Sequence, residues 1–160
     1  MNPFVTKGYA GANYFCDREK ETLNLTELVL NGNDLALISP RRLGKTELIC
    51  HCFAQPTIRD HFDTFLVDIY STSSLRDFVN VFGQAILDEL KPKGRKFWEV
   101  FLSSLKSIQA QFSFDFNGNP VWGLGLGKID NPELTLREIF HYLAHAPRPC
   151  LVAIDEFQQI

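Results

Sequence analysis

The chain has 160 residues, enough for one domain with a core of its own. Apolar residues make up 45% and aromatics 12%, which excludes a disordered chain, and 14 Phe promise generous packing. The formal net charge of −3 gives no whole-molecule field toward nucleic acid or an anionic membrane, and no apolar run approaches the roughly 20 residues that span a bilayer.

Residues 1–13 carry Gly8 and Gly11 with little apolar periodicity and read as an arm. Asp17 is placed to cap a helix whose face is marked by Leu25, Leu28 and Val29, and Asn31-Gly32-Asn33 stops it. Residues 35–38 form a short apolar run that reads as a buried strand. A loop follows, then Leu48, Ile49, Cys52 and Phe53 at helical spacing up to Pro56. Residues 64–70 read as a second buried strand, whose nearly unbroken apolar character fits a parallel sheet covered on both faces; Asp68 interrupts it. Ser74 and Asp77 have the spacing of a capping box, and Leu75, Phe78, Val79, Phe82, Ile86 and Leu90 mark a long helix ended by Pro92 and Gly94. Phe97, Trp98, Phe101, Leu102, Leu105 and Ile108 keep helical spacing and read as a packing surface.

From residue 111 to 127 the period changes to two. Phe112, Phe114 and Phe116 alternate with polar residues, Asn117-Gly118-Asn119-Pro120 signals a turn, and Trp122, Leu124 and Leu126 alternate after it. This is the pattern of an inserted β-hairpin, expected to cover a core edge or to meet a partner through its aromatic face, and to be accessory to any nucleotide site. Pro132 suits a helix start and Thr135 with Glu138 has capping-box spacing. Leu136, Ile139, Phe140 and Leu143 make its core face before Pro147 and Pro149. Residues 150–154 form a third apolar strand, ending in Asp155 and Glu156.

The loop after the first strand is Ser39-Pro40-Arg41-Arg42-Leu43-Gly44-Lys45-Thr46. It follows the phosphate-loop pattern of Gly, four residues, then Gly-Lys-Ser/Thr, with Ser39 where the first Gly would stand. Gly44 lets the backbone turn its N–H groups inward at a phosphate. Lys45 supplies a cation for the outer phosphates, and Arg41 and Arg42 lie where they can touch phosphate or a neighbouring acid. Thr46 can offer its hydroxyl to magnesium, and it opens a helix whose N-terminal dipole favours an anion. At the far strand Asp155 suits a place beside magnesium and Glu156 suits the polarising of water; as neighbours they point apart and can hold different jobs. His141 and His145 have zinc-pair spacing, but Tyr142 stands where a metalloprotease has Glu, and no third ligand is evident. Cys50, His51 and Cys52 diverge around a helix.

Taken together, Asn2-Pro3-Phe4, Tyr14-Phe15-Cys16-Asp17-Arg18-Glu19-Lys20-Glu21, the loop 39–46 and Ala153-Ile154-Asp155-Glu156-Phe157-Gln158 resemble the AAA-family ATPases of the archaeal-ATPase group, allied to the STAND class. The resemblance runs end to end, more loosely over residues 91–127. It implies an α/β chain with the three-layer α/β/α P-loop fold and a largely parallel sheet, with ATP and Mg2+ as cofactors. It implies phosphate binding by residues 39–46, catalytic roles for Lys45 and Glu156, and magnesium held by Thr46 and Asp155. The arm would lie near the adenine through Phe4 or Tyr14. The family continues beyond such a strand to a sensor strand, an arginine and a lid, so the chain is expected to be the front part of a longer protein, slow or inactive alone. Two other readings stand beside this one. A P-loop kinase is disfavoured by Glu156, which stands where the phosphoryl acceptor would sit. A nucleotide-gated interaction module with little hydrolysis is favoured by the hairpin and by the missing arginine. The expected partners are ATP and either a protein or a second copy; neither membrane nor nucleic acid is indicated. The opening residues do not have the form of a signal peptide, and cysteines at 16, 50, 52 and 150 suit buried thiols in a reducing cytoplasm.

Overall fold

The computed structural model describes residues 9–12, 15, 17–40, 43–109, 112–114, 120–122 and 126–157. They form a mixed α/β chain with six helices and a small parallel sheet. It divides into two compact units, Met1–Thr64 and Phe65–Ile160. No helix among the described residues is long and apolar enough to cross a membrane.

The first unit is helical. Its helices are α1 (Glu19–Leu30), α2 (Lys45–Ala54) and the single turn α3 (Pro56–Arg59). The expected stripe on α1 is displaced. Thr22 and Thr26 are its buried residues, and Leu28 is exposed. Thr26 Oγ1 and Cys52 Sγ share a hydrogen bond of 3.5 Å, which joins α1 to α2. Thr22 turns its hydroxyl back to the Arg18 carbonyl at 2.8 Å, so burying these two threonines leaves no hydroxyl unsatisfied. Asp17 does not cap α1. It has φ 61, in the left-handed region, and the N-cap position falls to Arg18, which makes no side-chain cap. The other end follows expectation. Gly32 at φ 75 lets its N–H reach the Val29 carbonyl at 2.9 Å and the Asn33 N–H reach the Leu28 carbonyl at 3.1 Å, the Schellman closure.

The strand expected at residues 35–38 is not formed. Residues 33–40 carry no regular structure, and Leu35, Leu37 and Ile38 are 42%, 40% and 92% exposed. A strand owes its existence to backbone partners and to apolar cover on its faces. Among the described residues the paired strands all lie elsewhere, so this run gains neither.

The second unit holds the sheet and its helices. Strand β1 (Asp63–Asp68), in which the division of the chain falls, pairs with β6 (Cys150–Asp155), and the two run parallel. Between them come α4 (Leu75–Leu90), a single 3-10 turn, α5 (Arg95–Ser104), four short strands and α6 (Pro132–Ala144). Phe65, Val67 and Ile69 are buried, as are Phe82, Ile86 and Phe101 from the helices. These side chains belong to one apolar cluster. Ser74 caps α4 by accepting the Asp77 N–H at 3.1 Å. The return contact is made one residue earlier than a capping box would place it: Asp77 Oδ2 accepts from the Ser73 hydroxyl and N–H. The Ser73 hydroxyl, followed by that of Ser74, holds the Asp77 carboxyl below its usual range.

Helix α5 stops at Ser104, short of the expected stripe, and Ile108 begins strand β2 (Ile108–Gln109). This strand pairs antiparallel with β5 (Lys128–Ile129). Within the stretch of alternating sequence, β3 (Phe112–Phe114) pairs antiparallel with β4 (Pro120–Trp122), Phe112 opposite Trp122. The predicted box of Thr135 and Glu138 does not cap α6. Asn131 does so, accepting the Leu134 N–H at 3.1 Å, with Pro132 as the first helical residue. Thr135 and Glu138 lie one turn inside and hold the chain ahead of β2. Ser107 donates its N–H to Glu138 at 3.0 Å, and its hydroxyl meets Thr135 Oγ1 at 2.8 Å.

Gly83 lets α4 come close to its neighbours. A Cβ there would lie 2.4 Å from Leu126 Cδ1 and 3.3 Å from Ile139 Cδ1, both buried. Overpacking of this kind costs about 1–3 kcal/mol, and the gain in helix propensity offsets up to about 1. Gly83→Ala should therefore lower stability by about 1 kcal/mol, read as a lower midpoint in urea. An unchanged or raised midpoint would show that Leu126 moves aside without cost.

Candidate functional site

The phosphate-loop residues lie in the first unit. Gly44 is the N-cap of α2 with φ 67 and ψ 37, the left-handed conformation that a residue without Cβ adopts most easily. That bend delivers Lys45 and Thr46 as the first two helical residues. In the first turn of any helix the N–H groups have no partner within the helix, and the dipole is positive there. Lys45 curls back over the loop. Its Nζ donates to the Ser39 carbonyl at 3.1 Å and makes a longer contact of 3.5 Å to that of Pro40. Ser39 Oγ donates to the Pro40 carbonyl at 3.4 Å, so the residue in the first-Gly position engages the loop itself. Leu43 is exposed. Arg41 and Arg42 lie outside the described residues, as do Phe4 and Tyr14.

Asp155 and Glu156 belong to the second unit. Asp155 ends β6, and its carbonyl accepts the Ile69 N–H at 3.3 Å, just past the end of β1. Both carboxylates therefore stand at the C-terminal end of the parallel pair, the end at which open α/β sheets bind ligands. Glu156 has φ 58, and Asp155 Oδ1 accepts its N–H at 2.9 Å. A non-glycine residue in this region is strained by about 1–3 kcal/mol, and such strain gathers at functional positions. Asp68 ends β1 and spends one carboxylate oxygen on the Tyr70 N–H at 2.9 Å, a turn-forming role.

Among the described residues no group of three or more His, Cys, Asp or Glu is placed to hold a metal ion. His141 and His145 stack on each other at 4.1 Å, and the His145 ring bonds the His141 carbonyl. Cys52 points at Thr26, and burial pushes its thiol up. His51 points instead to the arm. Phe15 stacks on its ring at 4.0 Å, and Tyr9 Oη meets Nδ1 at 2.8 Å. Cys50, Cys52 and Cys150 form no disulfide.

No protein-family model, no curated protein and no solved structure matches this chain.

One participant is not signalled by the spacing of the loop motif. Arg18, ahead of α1, sends Nη1 to the carbonyls of Leu43 at 2.8 Å and Gly44 at 3.1 Å, while Nε holds Glu21 at 3.2 Å. The Arg18 side chain is 24% exposed and that of Glu21 is 51% exposed, so the ion pair contributes less than about 1 kcal/mol. The bonds to the two carbonyls are the stronger tie, since hydrogen bonds to a charged group contribute about 1.5–3 kcal/mol. The sequence signal for this residue is its place in the run Asp17-Arg18-Glu19-Lys20-Glu21, which resembles the Arg-Glu box ahead of the P-loop strand in the ATPase group named above.

Gly44→Ala tests the bend. An added Cβ would meet Glu47 Oε2 at 3.5 Å and Arg18 Nη1 at 3.7 Å, ordinary contacts, so the cost is conformational rather than steric. A loss of about 1–2 kcal/mol is expected from the left-handed backbone, and Gly44→Asn should lose less. Equal urea midpoints for Gly44, Ala and Asn proteins would mean that the left-handed turn is not held in solution.

Proposed function

We propose that this chain is a P-loop domain of the AAA/STAND-like class that binds Mg-ATP and hydrolyses it. The observation that carries the reading is the arrangement at the start of α2: a left-handed Gly44, then Lys45 with its ammonium turned back onto the Ser39 carbonyl across the loop. A carbonyl oxygen is a weak partner for a lysine ammonium. A phosphate oxygen offers a full charge and the stronger bond, so a triphosphate entering the loop replaces those contacts with better ones.

The donor set fits magnesium. A threonine hydroxyl and a carboxylate are hard oxygen ligands, and Mg2+ takes one or two protein oxygens and keeps several waters. The resemblance implies that Thr46 would offer its hydroxyl to the ion and that Asp155 would hold its water shell; when bound, the ion would neutralise charge on the outer phosphates. The chain's own groups carry the rest. Gly44 and its neighbours orient the phosphates, and Lys45 stabilises charge on the transferred group. Glu156 accepts the proton of a water whose oxygen attacks the γ-phosphorus while the bond to the β-phosphate oxygen breaks, leaving ADP and phosphate.

Two measurements test this. Calorimetry with the non-hydrolysable analogue AMP-PNP and magnesium should show binding that Lys45→Ala weakens by about 10- to 100-fold, the range expected for a charge-assisted bond. Equal affinity in a folded Lys45→Ala protein would sink the nucleotide reading. Glu156→Gln should leave AMP-PNP affinity within about threefold and lower phosphate release by about 10² or more, the usual contribution of a positioned base. Release that continues undiminished would remove Glu156 from the chemistry while leaving binding intact.

A further inference from the structure

We infer that Arg18 is the positioning residue of the phosphate loop, setting the conformation in which the loop meets α2 and, through it, the grip on a polyphosphate. The second half of this inference rests on the nucleotide reading above; the first half does not.

The Arg18 main chain opens α1: its carbonyl accepts both the N–H of Thr22 at 2.9 Å and the Thr22 hydroxyl at 2.8 Å. Thr22 is itself buried. The base of the side chain is thus tied to the first turn of α1, and α1 is tied to α2 through Thr26 and Cys52. From that base the guanidinium reaches 25 and 26 residues along the chain to two consecutive carbonyls, Leu43 and Gly44. A guanidinium is planar and always charged, and its donors are held in a rigid fork. Here the fork divides its work. Nε engages Glu21, which sets the plane, and Nη1 is shared by the two carbonyls.

Those two carbonyls flank the left-handed turn. Fixing the Leu43 and Gly44 carbonyl oxygens on one side fixes the two peptide planes, and a peptide plane carries its N–H opposite its C=O. The planes are those whose N–H groups belong to Gly44 and Lys45. At the other end of the loop Lys45 Nζ takes the Ser39 and Pro40 carbonyls. The loop's carbonyls are therefore held by two cations, one at each end. They differ in what a polyphosphate would do to them. Lys45 is drawn away from its carbonyls onto phosphate, whereas Arg18 faces the carbonyl side of the turn and keeps its contacts. Residues 33–40 form no strand, and the turn is held by Arg18 together with the Leu48 N–H, which reaches the Gly44 carbonyl at 3.0 Å.

The test uses the full chain in four forms: native, Arg18→Ala, Arg18→Gln and Arg18→Lys. Amide hydrogen exchange is measured without ligand, and AMP-PNP with magnesium is titrated by calorimetry. Arg18→Ala is expected to exchange about tenfold faster at residues 43–47 only, and to bind AMP-PNP about tenfold more weakly. Arg18→Lys keeps the charge and should recover affinity to within about threefold of native. Arg18→Gln keeps one amide donor and should fall between, and it replaces the Ala variant if that one does not fold. Exchange and affinity unchanged in Arg18→Ala would overturn the inference. So would faster exchange spread over α1 and α2 with no recovery by Lys, since that pattern means the residue only holds the helices together. Native protein that binds no AMP-PNP would refute the nucleotide reading and the phosphate half of this inference. The loop-setting half is then decided by exchange alone, supported by a change confined to residues 43–47 and refuted by none.

Discussion

A parallel strand exists only where a neighbour takes its backbone groups, and that requirement governs which apolar runs of this chain become strands. Residues 63–68 and 150–155 satisfy one another, as the Ile69 N–H and Asp155 carbonyl illustrate at the end of the pair. Helices α4, α5 and α6 then supply the apolar cover, and Phe65, Val67 and Ile69 disappear from solvent. Residues 35–38 are equally apolar, yet they have no partner among the described residues and remain exposed. Composition does not separate the two cases. Pairing does.

For the described residues of the loop before α2, side chains act beside the Leu48 N–H, which bonds the Gly44 carbonyl. Arg18 and Lys45 hold four of its carbonyls between them, with Gly44 supplying the left-handed bend. Charge-assisted bonds suit this role because they remain directional where cover is thin, although water weakens them as exposure rises. At the strand end a different device acts. Glu156 is bent into the left-handed region, and Asp155 Oδ1 accepts its N–H. Lys45 is thus held by hydrogen bonds to backbone carbonyls, and Glu156 stands in a strained backbone at the end of a paired strand.

Polar residues at helix starts show how local signals compete with tertiary ones. Ser74 caps α4 as its position predicts, accepting the Asp77 N–H. Thr135 and Glu138 have equally good capping spacing but sit a turn inside α6, where Ser107 takes them both. Asn131 and Pro132 begin that helix instead. Asp17 loses its cap to a left-handed backbone, and the adjacent Arg18 is committed to the loop. At Thr135 and Glu138 the spacing suits a cap, but the contact goes to Ser107, which is distant in sequence.

The sequence by itself determined the elements whose causes are local. These include the helix periodicity of α4 and α6, the Gly32 stop of α1, the turn chemistry at Gly44 and the change to period two near residue 112. It also determined the chemical inventory of the candidate site, since Gly44, Lys45, Thr46, Asp155 and Glu156 are named by motif alone. Only the tertiary structure decided the rest. It left residues 35–38 unpaired, turned α1 to bury threonines rather than Leu28, and brought Arg18 onto carbonyls 25 and 26 positions away. The physical reason is the same throughout. Dihedral preferences and caps act within a few residues and can be read in order, whereas strand pairing, helix facing and the reach of a guanidinium depend on which distant groups the folded chain leaves in need of a partner.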